Sequence, residues 1–360
     1  MKTILYIGRY NGIIGGIERY MQKSAELLRR NGFAVHCLYT EDGGREQENF
    51  AAAFDSTALF AKDNACINEA DIIVIHNIIP TELLKHLPQN KSLFFAHDHN
   101  IYCRRHHYYT PVGRTNCHRK YSALRCLICS LGRNPAPPIA EYRKYPALVL
   151  SEFMADNLRK NGFEKVYKIP AFIKSEEVER KFMPQGVLRI LFLGQLIRGK
   201  GADLMLKSLA KLEIPFECTI AGVGNDFSML EKLVKDLGLQ DNVKFSGFVS
   251  DTEKLWQDCD VFFFPIRWQE PFGLAGLEAM AHSVPAVAFD LGGVREYLSP
   301  ECGVLVPEKD VCRAVQVLTE LYQQPELLKT LGENGAKIVR KNFSEENFIT
   351  QFNTLCEVLK

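Results

Sequence analysis

Leu188-Arg189-Ile190-Leu191-Phe192-Leu193, then Gly194-Gln195-Leu196-Ile197-Arg198-Gly199-Lys200-Gly201, then apolar residues at helical spacing over 202–211, is the stretch that decides how this chain is read. A short run of mostly apolar residues makes a buried strand, the glycines make a turn, and the apolar spacing beyond it makes a helix. The pattern recurs downstream: a strand over 217–221, a glycine turn at 222–224, a helix over 228–236, and strands at Val261–Phe264 and Ala286–Phe289. It also recurs upstream. A strand over 4–7 runs into a glycine-rich turn ending at Gly16. Ile17, Tyr20, Met21, Leu27 and Leu28 follow at helical spacing, with a second strand over 34–39. Further short apolar runs stand at Ile72–Ile75, Ser92–Phe95 and 148–150. Strands alternating with helices in both halves predict an α/β chain of two doubly wound parallel sheets, whose ligands bind beyond the carboxyl ends of the strands.

Length agrees with two cores. Domains run to roughly 150 residues each. A chain of 360 residues therefore predicts two. The expected division is a first domain at 1–172, a linker at 173–186, a second domain at 187–343 and a terminal helix at 344–360 crossing back to the first. Apolar residues at 46% and charged residues at 24% exclude a disordered, collagen-like or coiled-coil chain. No apolar run approaches the roughly 20 residues of a membrane-spanning helix, and the polar turn after residue 7 is unlike a secretory signal. The expectation is a cytoplasmic protein whose 11 cysteines are mostly reduced thiols.

A net charge of +1 argues against a nucleic-acid coat, but it hides an asymmetry. Residues 101–145 hold nine basic residues against one acid, Glu141, a local +8 that leaves −7 for the rest. Tyr102, Tyr108, Tyr109, Tyr121, Tyr142 and Tyr145 are interleaved with that charge. Such a mixture suits a phosphate-bearing acceptor or the anionic inner face of a membrane, with Arg104, Arg105, Arg119 and Lys120 as its contact residues; a solvated loop is the plainer reading. The segment also contains Cys103, Cys117, Cys126 and Cys129, ending in C-x-x-C. Zinc, free thiols and a disulfide are all open readings, since the outer spacings are not those of a paired zinc ribbon.

Three loops carry anion chemistry. The turn 194–201 nearly spells a P-loop, but Gly201 replaces the hydroxyl that would hold magnesium. What remains is Arg198 and Lys200 beside a helix start, two cations with free N–H groups. Gly8, Gly12, Gly15 and Gly16 fail the G-x-G-x-x-G spacing of a dinucleotide site, yet they permit close backbone approach to a ligand. In Glu270-Pro271-Phe272-Gly273-Leu274-Ala275-Gly276-Leu277-Glu278, two acids bracket a helix start. The second carboxylate lies about 7.5 Å along the axis from Gly273, at about 1.5 Å per residue.

These residues, in this order, resemble the GT-B retaining glycosyltransferases of family four. Further landmarks are Ser151-Glu152-Phe153, Ala221-Gly222-Val223-Gly224, Ser246-Gly247-Phe248 and Gly292-Gly293-Val294-Arg295-Glu296, and the match extends from residue 3 to about 350. The resemblance implies two Rossmann-like domains facing a central cleft and transfer of a sugar, with retention, from a nucleotide diphosphate-sugar donor to a sugar or lipid-linked acceptor. It assigns Lys200 to the donor diphosphate, Glu270 to the transferred sugar, Glu278 to the ribose, and the backbone of Phe272, Gly273 and Leu274 to sugar and phosphates. Gly15 and Gly16 would close over the diphosphate, Gly222 and Phe248 would border the donor, and His97 would reach the sugar from the first domain. Gln195 stands where the family has an arginine, a charge that Arg198 would replace.

Cations and N–H groups stabilise a leaving diphosphate without a metal, so no cofactor is expected for catalysis and zinc would be structural only. Asp258-Cys259-Asp260 is a D-x-D, but it precedes a strand and reads as a helix end. No nucleophilic carboxylate stands out for a double displacement, which favours front-face attack. A non-catalytic scaffold with the same fold, or a phosphorolytic or trehalose-type transferase, are the rival readings.

Overall fold

The structure, a computed structural model, describes residues 2–61, 64–110, 115–132, 134–174 and 186–358. Most of the expected linker, together with Arg114 and Arg133, lies outside the described residues. The chain divides into two compact units, Met1–Pro170 with Glu345–Lys360, and Ala171–Ser344.

The first unit is built on seven strands: β1 (Thr3–Tyr10), β2 (Ala34–Glu41), β3 (Ser56–Leu59), β4 (Ile72–Ile75), β5 (Ser92–Phe95), β6 (Ala147–Val149) and β7 (Val166–Lys168). They lie in the order β3-β2-β1-β4-β5-β6-β7, every pair parallel. The central strands are buried on both faces, because the crossover helices cover the sheet on both sides. The helix Gly16–Arg30 packs Tyr20, Met21, Leu27 and Leu28 inward. The helix Glu152–Lys160 starts where Ser151 Oγ accepts the Met154 N–H at 3.2 Å, a side-chain cap on an otherwise unpaired donor. The helix Glu345–Val358 returns to this unit: Phe352 meets Phe33 at 5.8 Å and Glu345 pairs with Arg30 at 2.8 Å.

The second unit has β8 (Leu188–Leu193), β9 (Phe216–Ala221), β10 (Val243–Gly247), β11 (Val261–Phe264), β12 (Ala286–Phe289) and β13 (Gly303–Val306), in the parallel order β10-β9-β8-β11-β12-β13. Helices Val311–Gln323 and Pro325–Asn342 close it, the first capped by Asp310 Oδ1 accepting from Arg313 N at 2.9 Å, the second opening on proline, both ordinary ways to begin a helix. Both sheets reverse strand order once, between β1 and β4 and between β8 and β11. At such a reversal neighbouring loops leave in opposite directions and open a crevice.

Several elements exceed the sequence reading. β1 is twice as long as 4–7, because pairing with β2 continues past Gly8 to Tyr10. β3 is a mostly exposed edge strand with no apolar pattern to read, and β7 has only three residues.

Candidate functional site

At the reversal in the second unit, the loop after β8 and the loop after β11 meet through one ion pair: Lys200 Nζ lies 2.7 Å from Glu270 Oε2, both groups partly buried. Lys200 also stands 5.6 Å from the centroid of the Phe264 ring. Glycine makes this approach possible. A Cβ on Gly201, at φ +75°, would fall 1.8 Å from the Pro265 carbonyl oxygen, and one on Gly199 would fall 1.8 Å from the Trp268 ring. Arg267 and Trp268 donate their N–H groups to the Gly199 carbonyl at 2.8 and 3.3 Å. The buried Arg267 guanidinium holds both oxygens of Asp203 at 2.6 Å and the Arg198 carbonyl at 3.2 Å, charge-assisted bonds of the stronger kind. The cation and the carboxylate are thus fixed by a clamp behind them.

Glu270 is pinned by its backbone as well, since its carbonyl accepts from Gly293 N at 2.7 Å. Three residues on, Gly273 at φ +93° caps the helix Leu274–Ala281, and Tyr297 donates its hydroxyl to the Gly273 carbonyl at 2.9 Å. Free N–H groups of that first turn lie beside the pair, a place for negative charge. Glu278 sits further along the same helix, partly exposed. Phe272 is buried, its ring 5.2 Å from Tyr297. Leu274 opens the helix, Arg198 projects outward and Phe248 is largely exposed. Gly222 has a local reason to be glycine: at φ +143° its Cβ would meet the Gly194 oxygen at 1.8 Å. The D-x-D is structural at its second acid. Asp260 is buried and binds the Arg189 guanidinium in a fork, at 2.7 and 3.0 Å, while Asp258 closes the helix Glu253–Gln257.

The first unit carries a different arrangement, one strand away from its reversal, beyond β4 and β5. His76, directly after β4, places Nδ1 2.9 Å from Nε2 of His97, which follows β5. The His97 ring stacks on both Phe95 and His76, and Tyr20 stands edge-on to His97 and Phe95. Burial pushes both histidines down, His97 to about 3, so both are neutral near pH 7 and one N–H lies between them. His76 Nε2 is buried without a hydrogen-bond partner among the described residues. A bare lone pair is better tolerated there than an orphaned N–H, which puts the proton of His76 on Nδ1 and leaves His97 to offer its own Nδ1–H. This assignment follows from the network. Beside His97, burial raises the Asp98 carboxyl to about 6; its two oxygens accept from Asn100 N at 2.8 Å and Asn100 Nδ2 at 2.7 Å. Glu18, buried and also raised by burial, accepts the Gly15 N–H at 3.0 Å and fixes the glycine loop at its helix. A Cβ on Gly16 would meet nothing within 4 Å, which leaves open space over that N-terminus. Sequence reading missed His76 and the Arg267–Asp203 clamp. The available signal for His76 was its place at the end of the strand next to that of His97.

The basic segment is arranged differently from its expected form. Tyr102, Tyr108, Tyr109, Tyr142 and Tyr145 are buried, most of them in the core of the first unit, and Tyr121 is partly buried. Their rings fill the core while the Tyr108 and Tyr145 hydroxyls reach backbone carbonyls, the polar handle that lets a phenol be buried. Arg104 and Arg105 donate to the carbonyls of Pro135 and Cys129 at 3.2 and 3.4 Å and hold the segment together, whereas Arg119 and Lys120 are exposed. Cys103, Cys117, Cys126 and Cys129 are free thiols. Among the described residues no group of three or more His, Cys, Asp or Glu is gathered to hold a metal ion. Cys103 and Cys117 pack against the apolar core, and burial raises the Cys103 thiol.

Residues 174–338 match the family described as Glycosyl transferases group 1. Among curated proteins, the chain is similar to an uncharacterized glycosyltransferase, YqgM, of Bacillus subtilis (30% identity over 201 residues, 54% of this chain and 56% of that one). It is also similar to the N-acetyl-alpha-D-glucosaminyl L-malate synthase of Bacillus anthracis (28% over 169 residues, 46% and 44%). The chain spans about half the length of the curated relatives it matches. Among solved structures, Anabaena Alr3699/HepE in complex with UDP and glucose superposes with a TM-score of 0.75 at 16% identity, over 99% of this chain and 100% of that one. Sucrose-phosphate synthase of Thermosynechococcus elongatus gives 0.75 at 19% identity, over 100% and 99%. The fold is therefore GT-B, and within it residues 174–338 match the Glycosyl transferases group 1 family.

Proposed function

We propose that the protein is a retaining glycosyltransferase that moves a sugar from a nucleotide diphosphate-sugar to a hydroxyl of a sugar or lipid-linked acceptor, in cell-surface polysaccharide or glycolipid synthesis. The observation that carries the reading is the Lys200–Glu270 pair at a helix start inside the family-matched region. The donor diphosphate takes Lys200 away from Glu270, with Arg198 and the N–H groups at Leu274 sharing the charge; Glu270 turns to the sugar hydroxyls and Glu278 to the ribose. As the glycosidic bond breaks, this fixed positive field meets the charge growing on the leaving diphosphate. The second acid of the D-x-D, Asp260, is held by Arg189, so the reading assigns no divalent cation to the motif. The acceptor hydroxyl attacks from the face the diphosphate leaves and gives its proton to a departing phosphate oxygen. Neutral His97 donates a hydrogen bond without adding charge. Peripheral contact with an anionic membrane belongs to the same reading, since a lipid-linked acceptor is met at a bilayer.

The test is thermal stabilisation by a panel of nucleoside diphosphates and their sugars. A ligand at 100 times its dissociation constant adds about 2.7 kcal/mol. Lys200→Ala should remove most of that gain for the nucleoside diphosphate alone. A panel that stabilises neither protein would overturn the reading.

A further inference from the structure

The helix Ala123–Cys129 wears its apolar residues on the outside. Leu124, Leu127 and Ile128 fall at i, i+3 and i+4, the spacing of a core-facing stripe, and Leu131 follows just past the helix end. Yet they are 68%, 40%, 66% and 65% exposed. The less accessible positions of the same stretch are Ser122, Cys126, Cys129 and Ser130, so its amphipathic sense is inverted. Leu131 sits at φ +54°, a backbone region that suits glycine or asparagine better than a branched side chain. Its side chain is nonetheless directed outward.

The stripe does not hold the segment in place. That is done by Arg105 on the Cys129 carbonyl, Tyr108 on the Arg119 carbonyl at 2.6 Å, and Asn161 Oδ1 on the Tyr121 N–H at 2.8 Å. Around the stripe, Arg119, Lys120 and Arg125 are exposed and make no ion pair among the described residues. Four exposed large apolar groups with three unneutralised cations around them match a surface that is apolar below and anionic above.

We propose that this helix is a membrane-contact element, its Leu124, Leu127, Ile128 and Leu131 stripe entering the acyl boundary of an anionic bilayer while Arg119, Lys120 and Arg125 meet the lipid phosphates. The proposal deepens the membrane part of the reading above and rests on it only for the reason the protein visits a bilayer. The cations contribute attraction that salt screens, and the stripe contributes binding that salt leaves intact.

The experiment uses the full chain with vesicles of equimolar phosphatidylglycerol and phosphatidylcholine, compared with phosphatidylcholine alone, across a salt series. The triple variant Leu124→Ser, Ile128→Ser, Leu131→Ser should bind the anionic vesicles at least about tenfold more weakly at every salt concentration. Its melting temperature should be unchanged, because these side chains cover no core. Arg119→Ser, Lys120→Ser and Arg125→Ser should each cost about fivefold at low salt and together flatten the salt dependence. With Leu124→Trp, the introduced indole should shift to the blue on binding and be quenched by brominated acyl chains. The proposal is overturned by an apolar triple variant that binds as well as wild type, by an indole that stays in water, or by wild type ignoring anionic vesicles. A dimer in sedimentation that the triple variant dissolves would overturn it too, and would give the stripe to a second copy. The panel of nucleoside diphosphates titrated against the same proteins reads the donor site separately: vesicle binding without binding of any member of the panel leaves this proposal standing and removes the transferase reading, and the reverse result does the opposite.

Discussion

The two units place different chemistry beyond the carboxyl ends of their strands: the second at its reversal of strand order, the first one strand away from its own. Beyond β8 and β11 stands a full charge pair, Lys200 with Glu270, accessible enough to exchange partners with a ligand. Beyond β4 and β5 stand two neutral, desolvated imidazoles joined by one hydrogen bond. A parallel sheet that reverses order makes a crevice without specifying what lines it. The charge pair is suited to stabilise charge, the imidazole pair to orient a neutral group without contributing any.

The largest expected contrast is in turnover. Glu270→Ala should lower transfer by about a hundredfold or more, as for loss of a group aimed at the reacting sugar, and leave the fold intact because the carboxylate is outside the core. Steady-state rates within tenfold of wild type would erase the distinction between the two pairs. Next comes backbone tolerance. Gly201→Ala should destabilise the second unit by about 3 kcal/mol, from positive φ and collision with Pro265. Gly16→Ala should cost little stability, yet weaken nucleotide-sugar binding if the open space above it is used. Denaturant unfolding of the two variants makes the comparison, and equal losses would mean that both loops are merely packed.

His76→Phe keeps a ring against Tyr6 and Phe95 but deletes the N–H that sets His97. Transfer should fall about tenfold, the lower end for loss of an orienting partner, with nucleoside diphosphate affinity unchanged and recovery in His76→Asn, whose amide can reoccupy the Nδ1 position. The last effect is on acid stability. Unfolded His97 takes a proton below about 6.5, while the folded ring resists until about 3. Stability therefore falls as pH drops through that window, by up to about 1.4 kcal/mol per pH unit. Asp98 has the opposite sign. Its folded carboxyl holds a proton up to about 6 and its unfolded form releases it near 3.8, so its contribution falls as pH rises between those values. Asp98→Asn should therefore steepen the acid loss between pH 4 and 6 in melting curves; an unchanged slope would show that the two groups do not oppose each other.

What the sequence disclosed follows the same division. Gly199, Gly201, Gly273, Lys200 and Glu270 are legible because turns and helix starts impose local rules over a few residues. The GT-B sheets are legible because a strand buried on both faces must be continuously apolar. The His76–His97 bond joins residues 21 positions apart through strand pairing, and nothing in either residue's neighbours announces it. In the basic segment, composition misled. Tyrosines counted as surface are core because a phenol ring can be buried once its hydroxyl reaches a carbonyl. The outward stripe of Leu124 and Ile128 looks in sequence like any buried helix face.

The helix Glu345–Val358 has one further consequence. It completes the first unit with Phe348, Phe352, Leu355 and Cys356, yet it follows the whole of Ala171–Ser344 along the chain. During synthesis the second unit emerges entire while the first still lacks part of its apolar cover around Phe33. The N-terminal unit is therefore the later to mature on the ribosome. A nascent chain arrested before residue 345 would present a finished second unit tethered to a first unit whose apolar surface is still uncovered, the kind of surface chaperones bind.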